Sequence, residues 1–98
     1  MNNVMNIHES VLDAPQRIYT HLKKTPLEFS DQLSDITNAR VFLKLEFEQI
    51  THSFKARGAF NKIIKLVESG QEARLKKTGL IITSTGNAGI AYVSWVTI

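Results

Sequence analysis

The chain contains no cysteine, which excludes a disulfide framework and a thiolate zinc site. It holds two prolines and five glycines in 98 residues. The glycines stand at 58, 70, 79, 86 and 89 and form no glycine-rich loop. No apolar run is long enough to cross a bilayer as a helix. The opening MNNVMNIHES lacks the basic and apolar regions of a secretory signal. His8, His21 and His52 show no metal-ligand spacing, so no metal is expected. Charge of neither sign is concentrated. The net charge is +3, and the only adjacent basic pairs are Lys23-Lys24 and Lys76-Lys77. That pattern fits a solvated surface better than a nucleic-acid footprint, and no recognition helix or aromatic platform accompanies it. The expectation is a cytoplasmic protein with a small-molecule partner and neither a nucleic-acid nor a membrane partner.

What remains is ordinary globular composition, 43% hydrophobic and 21% charged, enough for one small domain with a modest core. Residues 1–12 are polar at the start and expected to be loosely ordered. Asp13 can cap a first helix to about Leu22, with Pro15 in its first turn and Ala14, Ile18 and Leu22 recurring every four residues. Thr25-Pro26 ends it and leads into an extended segment. A short helix is expected over Ser30–Asn38 and a strand over Val41–Glu46, with Val41, Leu43 and Leu45 on one face. From Ser53, a good N-cap, the period becomes helical. Ala56, Ala59, Phe60, Ile63, Ile64 and Val67 make one apolar stripe, and Gly70 is the stop. A polar stretch with a helical turn runs to Gly79. Leu80–Thr83 reads as a strand buried on both faces of a parallel sheet, Thr85-Gly86-Asn87 as a tight turn, and Ala88 onward as a helix. Strand, helix, strand, turn and helix in this order predict an α/β fold. The last segment, AYVSWVTI, is almost wholly apolar, and residues 1–98 are expected to be part of a larger fold.

Two places can carry chemistry. Lys55 lies at the start of the predicted helix, where exposed N–H groups disfavour a further cation, and Phe54 beside it is apolar. Both influences favour the neutral amine that reacts with an aldehyde. A plain surface lysine is the other reading. Ser84-Thr85-Gly86-Asn87 sits between a predicted strand and a helix, where open α/β sheets bind ligands. Its N–H groups could hold an anion and the Asn87 amide could donate to a ring oxygen. An ordinary capped turn is the alternative.

Together the segments are more specific. Ser53-Phe54-Lys55-Ala56-Arg57-Gly58-Ala59 resembles the S-F-K-x-R-G-A segment of fold-type II pyridoxal-phosphate (PLP) enzymes, above all threonine and serine dehydratases. Thr25-Pro26-Leu27 and Phe42-Leu43-Lys44-Leu45-Glu46 resemble the segments that precede it there. Ser84-Thr85-Gly86-Asn87-Ala88-Gly89 resembles the family's S-x-G-N-H-G loop. All four occur in the family's order, from about Arg17 onward.

The resemblance implies an open, mostly parallel three-layer sheet fold, that of the tryptophan synthase β-like PLP enzymes, of which this chain would be the N-terminal part. It implies PLP bound through Lys55, with Phe54 beside the cofactor ring and Asn87 on its phenolic oxygen. Ser84, Thr85 and Gly86 would cradle the carboxylate of an amino-acid substrate, and Arg57 would serve as a structural ion-pair partner. The implied reaction is loss of the β-hydroxyl from threonine, serine or a related amino acid, giving a 2-oxo acid and ammonia. The family's full-length members imply a homo-oligomer. His52 stands where the family has glycine, Ala88 replaces the loop histidine, and Ile90 stands at a position usually polar. Without a glycine-rich phosphate loop, the chain alone is expected to bind PLP poorly and to turn over no substrate. Another fold-type II reaction, racemisation or β-replacement, is an alternative. So is a non-catalytic remnant that associates with a homologue or a separate C-terminal half.

Overall fold

The computed structural model describes residues 6–97. Helix α1 spans Ile7–Ile18, beginning earlier than Asp13 because Asn6 caps it, its side-chain oxygen accepting the Glu9 N–H at 3.2 Å. Residues 7–12, expected to be loose, are therefore helical, and the rest of that expectation lies in residues 1–5, outside the described residues. Pro15 falls inside the helix rather than in its first turn, so the Val11 carbonyl loses its usual helical donor. The chain closes with a turn in which the Leu22 N–H donates to Ile18 O at 2.8 Å. Ile18 and Leu22 are both buried.

After Thr25-Pro26, β1 (Leu27–Phe29) pairs antiparallel with β2 (Phe42–Lys44), with Phe29 opposite Phe42 and Leu27 opposite Lys44. The expected strand over 41–46 is cut to three residues. Leu45 N–H still donates to Pro26 O at 3.0 Å, but Pro26 has no N–H to return, and the ladder stops. Glu46–Glu48 then turn as a 3₁₀ helix. Between the strands lies α2 (Asp31–Thr37), capped by Ser30 and ended by Asn38 in the left-handed conformation.

Helix α3 (Lys55–Leu66) carries the predicted stripe, and Ala56, Ala59, Phe60, Ile63 and Ile64 are buried. It widens through Val67–Gln71 and breaks at Gly70, whose φ of +84° suits glycine. Helix α4 (Glu72–Thr78) ends at Gly79, as the spacing predicts. Helix α5 (Asn87–Val96) follows the turn at Gly86. The core joins α1, α3 and α5. Ile18, Leu22, Ala56, Ala59, Phe60, Ile64 and Ala91 form one cluster, with Tyr19, Tyr92 and Trp95 packed on it.

One expected element differs. Leu80–Thr83 is not a strand, and Ile81 is 99% exposed. A strand exists through ladder bonds to a neighbour, and among the described residues the one sheet is the antiparallel pair β1–β2. The chain is thus a small α/β unit, with no parallel strand pair among the described residues.

Candidate active site

Lys55 is the first residue of α3. Its side chain is exposed, and Nζ lies 5.2 Å from the centre of the Phe54 ring, a cation–π contact. Phe54 is itself 60% exposed, so the apolar enclosure expected around the amine is not supplied by the described residues. Among them Lys55 has no carboxylate within ion-pair distance. The cap differs from expectation as well. Phe54 occupies the N-cap position in right-handed helical geometry, and Arg57 N–H donates to Phe54 O at 3.1 Å. Ser53 is turned inward, 7% exposed, and its hydroxyl has no hydrogen-bond partner among the described residues. The cause is the turn just before it. His52 holds a φ of +58°, a left-handed conformation, at the position where the resembling family has glycine. Its Nδ1 lies 3.1 Å from Phe47 O.

The second group is the loop before α5. Ser84 Oγ accepts the N–H of Gly86 at 3.2 Å and of Gly89 at 3.0 Å. Gly86 is the N-cap of α5, and Ser84, two residues before it, satisfies the Gly86 and Gly89 N–H groups that an anion could otherwise use. Asn87 opens the helix, exposed, with its amide unbonded among the described residues, as is the Thr85 hydroxyl. Helices α3 and α5, which carry Lys55 and Asn87 at their first positions, share the buried cluster of Ala56, Ala59, Phe60 and Ala91. No hydrogen bond links Lys55 to the 84–87 loop among the described residues.

The resemblance makes Arg57 a structural ion-pair partner, and the structure shows its partners. Arg57 Nε and Nη2 donate to the two oxygens of Glu46 at 3.0 and 2.8 Å, a bidentate fork. Nη1 donates to the Tyr19 hydroxyl at 2.8 Å, and Nη2 also reaches Thr25 Oγ1 at 3.3 Å. Thr25 Oγ1 donates in turn to Glu46, and Lys44 Nζ to Thr25 O. The guanidinium hydrogen bonds hold the Glu46 carboxyl below the ordinary carboxylate value, helped by the Thr25 hydroxyl. Glu46 in return holds Arg57 further above its already high value. The network explains why the first three motif segments occur together: Thr25, Glu46 and Arg57 come one from each.

Gln49 escaped the sequence reading. It is fully buried, and its amide binds the backbone of Lys23 both ways, Oε1 accepting the N–H at 3.0 Å and Nε2 donating to the carbonyl at 3.0 Å. Oε1 also accepts the Ile50 N–H at 3.0 Å. A polar residue in a loop carries no periodic signal, so only the fold could reveal it.

Comparison with known proteins gives the class first. The family model for pyridoxal-phosphate dependent enzymes matches residues 18–95, and the chain belongs to that family, whose cofactor is PLP. Among relatives, it is 44% identical over 92 residues to a Sinorhizobium fredii protein that carries a threonine dehydratase name, covering 93% of this chain and 26% of that one. It is 41% identical over 81 residues to the L-threonine dehydratase biosynthetic IlvA of Mycobacterium leprae, covering 81% and 18%. It is 38% identical over 80 residues to the beta-hydroxyaspartate dehydratase of Paracoccus denitrificans, covering 82% and 24%. The chain thus spans about a quarter or less of the length of these relatives. No solved structure matches it. Among the described residues no helix is long and apolar enough to cross a membrane.

Proposed function

We propose that this chain is the N-terminal part of a dehydratase site in which Lys55 would hold PLP and a hydroxy amino acid loses its β-hydroxyl as water, then takes up water again and releases ammonia to leave a 2-oxo acid. One observation carries the reading: Lys55, in the motif position of the cofactor lysine, presents an exposed amine beside an aromatic face, with no acidic partner among the described residues. The donor set fits the aldehyde and ring end of the group, offering an amine, an aromatic side chain in Phe54 and an unengaged amide in Asn87. It does not supply the phosphate end, since the five glycines form no cradle and Gly86 N–H is engaged by Ser84. When bound, PLP supplies an electron sink for charge at the substrate α-carbon.

The chain's own residues then have separate tasks. Lys55 Nζ would hold the cofactor aldehyde and take the substrate α-proton. Phe54 would pack beside the ring. Asn87 would donate its amide N–H to the ring oxygen. Thr85 Oγ1 and the free N–H groups at the start of α5 orient the substrate carboxylate, with Ser84 shaping the loop rather than binding, because its oxygen already serves two N–H groups. Threonine, serine and hydroxyaspartate all meet these requirements. The larger open parallel sheet, cytoplasmic location and homo-oligomeric assembly belong to the same reading, with Leu80–Thr83 as a strand once neighbours flank it.

Reductive trapping tests it. The chain is incubated with PLP and borohydride and its eight lysines are mapped by mass spectrometry. Preferential label on Lys55 is expected, and uniform labelling overturns the reading. A second reading, association with another polypeptide without catalysis of its own, draws on the nearly complete exposure of Ile81 within an extended apolar segment. Light scattering that finds a monomer alone and in the presence of a full-length relative contradicts it.

A further inference from the structure

We propose that the Arg57–Glu46 fork, completed by Thr25 and Tyr19, is a positioning device for Lys55, an inference that rests on the reading of Lys55 as the cofactor lysine. Arg57 hangs from the same first turn of α3 as Lys55, two residues further on. Its guanidinium is tied in three directions: to Glu46 just after β2, to Thr25 just before β1, and to Tyr19 at the end of α1. Gln49 pins the intervening loop to Lys23, so the approach to Lys55 is fixed along its length.

Stability alone is a poor reason for this arrangement. A cation in the first turn meets the positive end of the helix dipole, and α3 has no acidic residue there to offset it. The pair is also largely shielded, at 24% and 16% side-chain exposure, where desolvation consumes much of the attraction. The apolar stripe already holds α3 against α1 and α5. Apolar contacts tolerate small slides and rotations, whereas a planar two-point fork does not. A slip of one residue along a helix moves a group by about 1.5 Å. Misplacement of about 1 Å is enough to cost on the order of a hundredfold in a reacting geometry. The fork therefore sets the axial position of the turn that carries the Lys55 amine.

The test compares the ratio of Lys55 label to the mean of the other seven native lysines, by reductive trapping with PLP in the full chain and its variants, with the lysine introduced by Arg57→Lys counted separately. Arg57→Lys keeps the charge and loses the fork, and the ratio should fall by about tenfold or more. Tyr19→Phe removes one tie and should give an intermediate fall. Ile63→Val loosens the same helix away from the fork and should leave the ratio unchanged, with far-UV circular dichroism and urea unfolding run on every variant. A ratio in Arg57→Lys and Tyr19→Phe equal to wild type overturns the positioning role while sparing Lys55. An equal fall in Ile63→Val overturns it in favour of general stability. Absence of any Lys55 preference in the wild-type chain overturns the reading of Lys55 itself, and the positioning role with it.

Discussion

Gln49 and Ser53 are both buried polar residues, one whose side chain binds the Lys23 backbone both ways and one whose hydroxyl has no partner among the described residues. Their substitutions should move stability in opposite directions. Gln49→Leu keeps the volume but strands the Lys23 N–H and carbonyl, and should lower the unfolding free energy by about 2 kcal/mol or more. Ser53→Ala removes a hydroxyl that is buried without a partner among the described residues, and should be neutral or stabilising by up to about 1 kcal/mol. Urea unfolding of the two variants beside wild type measures both, and a loss in Ser53→Ala would mean the hydroxyl is satisfied after all. Neither residue's role was legible in the sequence. Ser53 looked like a helix cap because serine before an apolar helical stripe is the usual signal, and the left-handed His52 turned it inward instead. Lys55 is proposed as the cofactor lysine on the order of its motif along the chain, whatever its surroundings.

At the scale of elements, helices were read best where an apolar stripe or a glycine marked them. The buried face of α3 and the breaks at Gly70 and Gly79 follow directly from the spacing. The start of α1 did not, because Asn6 and Asp13 are equally good caps in isolation and the packing of Ile18 and Leu22 suits either start. Strands were read worst, since a strand depends on a partner the local sequence does not name. The connection from β2 to α3 offers a check. His52→Val places a β-branched residue at φ +58° and should destabilise by about 1–2 kcal/mol, whereas His52→Gly should not. Thermal unfolding of the pair decides it, and equal loss in both would point to the ring contact with Phe47 O instead. The fork adds a pH dependence. Glu46 is held below its ordinary value of 4.5. Its contribution is therefore complete above that pH in the folded chain and is lost as pH falls through the lower folded value. Glu46→Gln should flatten this acid limb in a pH series of unfolding midpoints. An unchanged limb would show that other carboxylates carry it.

As a whole molecule the chain is open. Its radius of gyration is 16.7 Å, against about 13 Å for a compact domain of 100 residues. Among the described residues more large apolar side chains are exposed than buried, including Leu27, Ile36, Phe47, Ile81 and Val93. A surface of this kind is one that a partner chain or ligand can cover. With no glycine-rich cradle among its residues, the chain by itself is expected to hold PLP weakly through its aldehyde end alone. The most direct measurement is an absorbance titration of the purified chain with PLP beside Lys55→Ala. The account predicts a weak, saturable visible band in the wild-type chain that the variant lacks. Identical titrations of the two chains would contradict it, because the cofactor would then have no special bond to Lys55.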